Sequence, residues 1–189
     1  LMMNVITNAV ANTASSMLQM KLLQTLPELL ITPLSSLELS LSFIIGGTVR
    51  GFVNGILILL ICIMVGMEIR DPVSTVFIIF VVAWSFSSLG LFIGQMSDSW
   101  DQLSLIQNFV LTPLSFLGGI FYSVTMLPEW GLAISKVNPV FYTINSLRYA
   151  TLGASDAPFA SSMVFIVLFS LLLTTLAVKT MESGKKIRF

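Results

Sequence analysis

Arg50 is the one charged side chain inside a long apolar run, Leu41 to Met67. A guanidinium at membrane depth either marks a passage or serves as an anchor whose stem snorkels to the nearer, cytoplasmic end. No acid or lysine lies within any comparable run, and histidine is absent throughout. Neither a Ser–His nor a Ser–Lys nucleophile, nor a carboxylate pair, can therefore be assembled inside such a membrane domain. Cys62 is the single cysteine, so an intrachain disulfide and a thiolate metal cluster are both excluded. The chain has no Gly-x-x-x-x-Gly-Lys-Ser/Thr phosphate loop, and Gly46-Gly47 cannot substitute for one.

Composition sets the class. Of 189 residues, 56% are hydrophobic and only 10% charged, against about 25% charged in ordinary soluble domains. Nine basic and nine acidic residues leave a net charge of +0, so there is no basic face for nucleic acid. The expected fold is all-α: a polytopic helical membrane protein forming a single transmembrane domain over residues 1–189. A bilayer core of about 30 Å requires about 20 helical residues. Candidate spans are Leu1–Met20, Leu41–Met67, Val73–Met96, Ile106–Val124 and Phe159–Val178. In the first, Asn4, Asn8 and Asn12 recur every four residues and fall on one face, which suits contact with helices or water rather than lipid. In the fourth, Pro113 and Gly118-Gly119 allow a kink and close packing.

Lys179, Lys185, Lys186 and Arg188 follow the last span, which puts the C-terminus in the cytoplasm. Counting back, segments 21–40 and 97–101 lie inside, and segments 67–72 and 125–158 outside. Within the inner segment 21–36, Thr25-x-x-Glu28 forms a capping box, and Leu26, Leu29 and Leu30 give the short helix an apolar side. Pro33 interrupts it. Ser35-x-x-Glu38 is a second capping box that opens the next span. The outer segment 125–158 carries Trp130, Phe141, Tyr142 and Tyr149 between Pro128, Pro139 and Pro158. Two short interfacial or re-entrant helices are expected there, over Glu129–Val137 and Phe141–Leu152, the second opened by Asn138-Pro139. Tyr142 and Tyr149 are expected at the membrane surface, with Arg148 turned toward polar groups.

The run NFVLTPLSFLGGIFYSVTMLPEW followed by NPVFYTINSLRY resembles the signature region of the ABC-2 type permeases, the membrane subunits of one class of ATP-binding-cassette exporter. The residues that carry the likeness are Asn108, Pro113, Phe116, Leu117, Gly119, Phe121, Tyr122, Leu127 and Pro128, then Asn138, Pro139, Tyr142 and Arg148. The resemblance implies that an amphipathic N-terminal helix and a first span are missing here, so that the five spans correspond to the family's second to sixth. It implies a pair of permeases, a homodimer in the simplest case, set among membrane lipids in the cell inner (cytoplasmic) membrane. Each would dock one cytosolic ABC ATPase subunit. ATP and Mg would be bound by that partner, leaving no cofactor, metal or catalytic residue on this chain. The capped segment Thr25, Leu26, Glu28, Leu29 and Leu30 sits where the family transmits ATPase closure. The expected activity is export of an amphiphilic or glycan-type substrate. An ion-coupled carrier or channel is the alternative, and an intramembrane lipid-modifying enzyme a more distant one.

Overall fold

The computed structural model describes residues 1–25 and 33–184. The expected coupling helix lies outside them apart from Thr25: Leu26, Glu28, Leu29 and Leu30 are not among the described residues, nor are Lys185, Lys186 and Arg188. Described elements are helical: α1 Met2–Leu22, α2 Ser36–Met64, α3 Pro72–Met96, α4 Trp100–Ile106, a π-helical segment Gln107–Leu111, α5 Thr112–Leu117, a 3-10 turn Val124–Met126, α6 Glu129–Val137, α7 Pro139–Leu152 and α8 Phe159–Ser183.

Three of these, α2, α3 and α8, are long and apolar enough to cross a membrane. The five-span expectation is thus met by length and hydropathy in three places. The asparagines dilute α1. The stretch expected as one span over Ile106–Val124 instead runs as a helix from Trp100 to Leu117, with a π-helical middle. Pro113 explains that middle. Its ring lacks an N–H and collides with the carbonyl four residues back, and a wide π turn immediately upstream makes room. The Thr112 hydroxyl occupies the space by donating to the Gln107 carbonyl at 3.0 Å.

Helix α3 is the centre of the fold, buried along Ile78, Ile79, Val82, Ala83, Phe86 and Leu91. Helix α1 packs against it in parallel, and α2 against both in antiparallel. Small residues permit this. Gly47, Gly51 and Gly55 recur every four residues down one side of α2. A Cβ at Gly47 would collide with Thr13 and Ser87, one at Gly51 would lie 3.0 Å from the Ala9 Cβ, and one at Gly55 would lie 2.7 Å from Val5 and Ile79 methyls. Gly90 and Gly94 of α3 do the same for the α1 backbone at Val10 and Ala14. With little hydrophobic drive between helices in lipid, such close approach and interhelical hydrogen bonds supply the cohesion. Thr13 and Ser87 hydroxyls meet at 2.8 Å, and Ser87 also donates to the Ile44 carbonyl, joining all three helices. On the other side of α3, Trp84 and Ser88 meet the Thr174 hydroxyl of α8, each at 3.0 Å.

The capping box at Ser35 is present as expected: Glu38 N–H donates to the Ser35 hydroxyl at 3.2 Å and Ser35 N–H to the Glu38 carboxylate at 2.8 Å. Helix α2 stops at Met64, three residues before the expected end, because Gly66 at φ 99° reverses the chain and Met67 N–H returns to the Cys62 carbonyl. Helix α8 continues to Ser183, beyond the expected Val178. Helix α1 ends in the same kind of motif without a glycine. Gln24 adopts φ 56°, its N–H bonds the Lys21 carbonyl, and Thr25 N–H bonds the Met20 carbonyl.

Candidate functional site

Two polar clasps close the bundle, one at each end, and five of the signature residues belong to the one that joins α5, α7 and α8. Asn138 caps α7: its side-chain oxygen accepts from Val140 N–H at 2.9 Å, and Pro139 takes the first helical position, where no N–H is needed. The helix therefore starts at Pro139, two residues earlier than expected. The other end of the Asn138 amide donates to the Leu114 carbonyl of α5 at 2.6 Å. That carbonyl belongs to the last turn of α5, so one side chain both starts α7 and ties it to the end of α5.

After Leu117 the chain turns through Gly118 and Gly119. Gly119 has φ 84°, and a Cβ there would lie 2.7 Å from the Val124 side chain, so only glycine fits. The turn presents the Gly119 and Tyr122 carbonyls to Arg148 Nη2, at 2.7 and 3.3 Å. Arg148 Nη1 donates to Asp156 at 2.8 Å, and Asp156 in turn accepts from the Ser123 hydroxyl at 2.6 Å and from Val124 N–H at 2.9 Å. Burial by itself raises the Asp156 pKa, but the Ser123 and Val124 hydrogen bonds and the Arg148 charge outweigh it, and the carboxyl sits below the ordinary aspartate value. Asn145, one turn before Arg148, holds the other side of the loop: its oxygen accepts from the N–H groups of Asp156 and Ala157, and its nitrogen donates to the Ala157 carbonyl and the Ser162 hydroxyl.

Gly119, Tyr122, Asn138, Pro139 and Arg148 are thus gathered into one region. Pro113 and Pro128 are not in the network; they stand at the starts of α5 and α6. Asp156, Asn145 and Ser123 were not anticipated. Nothing in the spacing points to Asp156, which lies in an irregular loop, whereas Asn145 sits three residues before Arg148 on one helical face. Two helices stand within segment 125–158, over Glu129–Val137 and Pro139–Leu152. Tyr142 stacks on Phe165 of α8 at 4.1 Å, and Tyr149 on Phe159 at 4.6 Å with Arg70 above its ring. Both tyrosines are half-buried against α8.

The opposite clasp joins α1 to the α3–α4 turn. Lys21, almost fully buried, donates to the Ser97 carbonyl at 2.9 Å, the Gln95 carbonyl at 3.3 Å and the Asp98 carboxylate at 2.7 Å. A lysine that satisfies the last carbonyls of a helix also complements its dipole. Thr25, four residues on, donates to the Met20 carbonyl at 3.3 Å; its expected partner Glu28 lies outside the described residues. The segment 21–36 is therefore anchored at its entry by Lys21 and at its exit by the Ser35 cap.

Between the clasps, Asn4, Asn8 and Asn12 share one face of α1 as expected, and Asn8 donates to the Asn4 side chain at 3.0 Å. Arg50 is exposed on α2 and donates to Asn12. Among the described residues no group of three or more His, Cys, Asp or Glu side chains could hold a metal.

The ABC-2 type transporter family model matches residues 1–152. The inner membrane transport permease YadH of Escherichia coli (strain K12) is 35% identical over 189 residues, covering 100% of this chain and 74% of that protein. Nodulation protein J of Rhizobium leguminosarum bv. viciae is 30% identical over 76 residues, 40% of this chain and 29% of that protein. No solved structure matches. An all-helical apolar bundle among the described residues, a family model matching residues 1–152 and 35% identity along the whole chain lead to one conclusion: the chain belongs to the ABC-2 type transporter family.

Proposed function

We propose that this chain is the multi-pass inner-membrane permease subunit of an ABC exporter, moving an amphiphilic or glycan-type substrate with ATP hydrolysed by a separate cytosolic subunit. The observation that carries the reading is the 35% identity to a transport permease along all 189 residues. The Lys21 clasp supports it mechanically. A partner pushing on Thr25, Leu26, Glu28, Leu29 and Leu30 would move a segment whose entry is bonded to α3 and whose exit is the capped start of α2. Both helices pack on α1 through glycines, so displacement passes to the bundle rather than dissipating in a loose connector. The permeases pair as a homodimer, and the C-terminus faces the cytoplasm.

The test is co-purification of the full protein with its ATPase, and the turnover of that ATPase in lipid nanodiscs. Replacing Leu29 and Leu30 together with Asp should abolish both, since docking would desolvate unpaired carboxylates. If a double variant that inserts normally keeps wild-type partner binding and turnover, segment 21–36 is only a connector. A reporter at Phe189 that is active only outside the cytoplasm would reverse the orientation.

A further inference from the structure

Arg50 is the fifteenth residue of the 29-residue α2, about 20 Å from the Ser36 end at 1.5 Å per residue. Its guanidinium donates to Asn12 of α1, and among the described residues Asn12 is its one side-chain partner. The two described ion pairs, Lys21–Asp98 and Arg148–Asp156, do not include it. Arginine keeps its charge and has five N–H donors in a planar fork suited to oxyanions, so an uncompensated guanidinium at this depth calls for an anion. Space for one lies alongside. A groove of about 400 Å³ between α1 and α2, lined by Asn12, Ser16, Ser42, Phe43 and Gly46 among others, begins at Asn12, the partner of Arg50, and runs toward the Ser36 end. Gly46 leaves it open: a Cβ there would meet nothing within 4 Å, whereas neighbouring Gly47 is packed against Thr13 and Ser87.

We infer that Arg50, held by Asn12 at the head of this groove, binds the phosphate-type headgroup of an anionic amphiphile whose tail remains in the bilayer. The inference rests on the permease reading only for what such binding is used for; the binding itself needs neither nucleotide nor partner. The polar groove lining would receive the headgroup, and the exposed aliphatic side of α2 at Val49, Val53 and Leu57 would receive the tail.

The probes are spin-labelled phosphatidylglycerol and phosphatidylcholine of identical acyl chains, titrated into nanodiscs holding the full chain without nucleotide. Wild type should retain the anionic label about tenfold more strongly than the zwitterionic one, as expected for charge-assisted hydrogen bonds. Arg50→Gln should erase that preference, and Arg50→Lys should keep part of it. Gly46→Leu, whose Cβ would meet nothing within 4 Å, should weaken retention by filling the groove without lowering the thermal midpoint. Adding the ATPase and ATP then separates the two sources of such a headgroup: release of the label on turnover marks a transported amphiphile, and retention marks a resident lipid. Either outcome requires the site. An unchanged preference in Arg50→Gln or in Gly46→Leu overturns it. Loss of ATPase coupling with the preference intact would count against the permease reading alone.

Discussion

Arg148 and Asp156 meet at 2.8 Å, eight residues apart in the chain, and between them they hold the turn that follows α5. The arginine takes the turn's carbonyls at Gly119 and Tyr122 while the aspartate takes its Ser123 hydroxyl and Val124 N–H. One ion pair thus satisfies four polar groups of an irregular segment that has no helical partners of its own. That is why an arginine in this position belongs with glycine and tyrosine positions some 30 residues earlier.

Arg148→Ala should destabilise the protein by about 2–3 kcal/mol, since a partly buried carboxylate and two carbonyls lose their donor together. Thermal unfolding in detergent reads the loss. Limited proteolysis should show new cleavage between Gly118 and Leu127. Asp156→Asn alone should cost less, and the double variant should cost less than the sum of the two. Additive losses would mean that the pair is not coupled.

The same clasp should be sensitive to acid. Asp156 titrates below the ordinary aspartate value when folded, so its stabilisation is complete above that ordinary value and is lost as pH falls through the lowered one. The unfolding midpoint of the wild type should drop across that acidic window. Asp156→Asn should have a lower midpoint at neutral pH and a flatter profile below it. Parallel profiles would remove Asp156 as the titrating group.

Adjacent glycines of α2 should behave oppositely. Gly47→Ala places a methyl against the Thr13 and Ser87 hydroxyls that join α1 to α3 and should cost about 1–3 kcal/mol as overpacking. Gly46→Ala meets nothing and should gain about 0.5–1 kcal/mol from helix propensity. Midpoints that shift equally would contradict the packing of α2 on α1.

At the entry to segment 21–36, Gln24 holds a left-handed backbone that glycine adopts freely. Gln24→Gly should raise stability by up to about 1 kcal/mol. Lys21→Met should lower it by about 1–2 kcal/mol, through the loss of bonds to two carbonyls and a half-exposed carboxylate. Under the proposed function, Lys21→Met should also uncouple: the ATPase should still co-purify, but its stimulated turnover should fall. Full turnover in a variant with lowered stability would make Lys21 a structural residue only.

What could be read from the residues themselves was local. Ser35 and Glu38 are three apart and close their box within one turn; Asn138 and Pro139 start a helix because both act on the backbone beside them. Apolar length announced α2, α3 and α8, and the quoted signature was enough to point to the family. Gly47, Gly51 and Gly55 recur every four residues, but that spacing alone does not say which helix comes close. The tertiary structure decided everything that depends on partners distant in sequence. Lys21 looks like the ordinary basic end of a helix until packing brings it to Asp98, 77 residues away. Arg148 needed polar groups, but its particular carboxylate lies in a loop of no recognisable pattern. The stretch around Pro113 was apolar enough for one span with a kink, yet the ring's clash with its own backbone widened the helix, and Gly119 ended it early. Hydrogen bonds within a turn are set by spacing along the chain, while those between helices are set by which faces the small residues allow to meet.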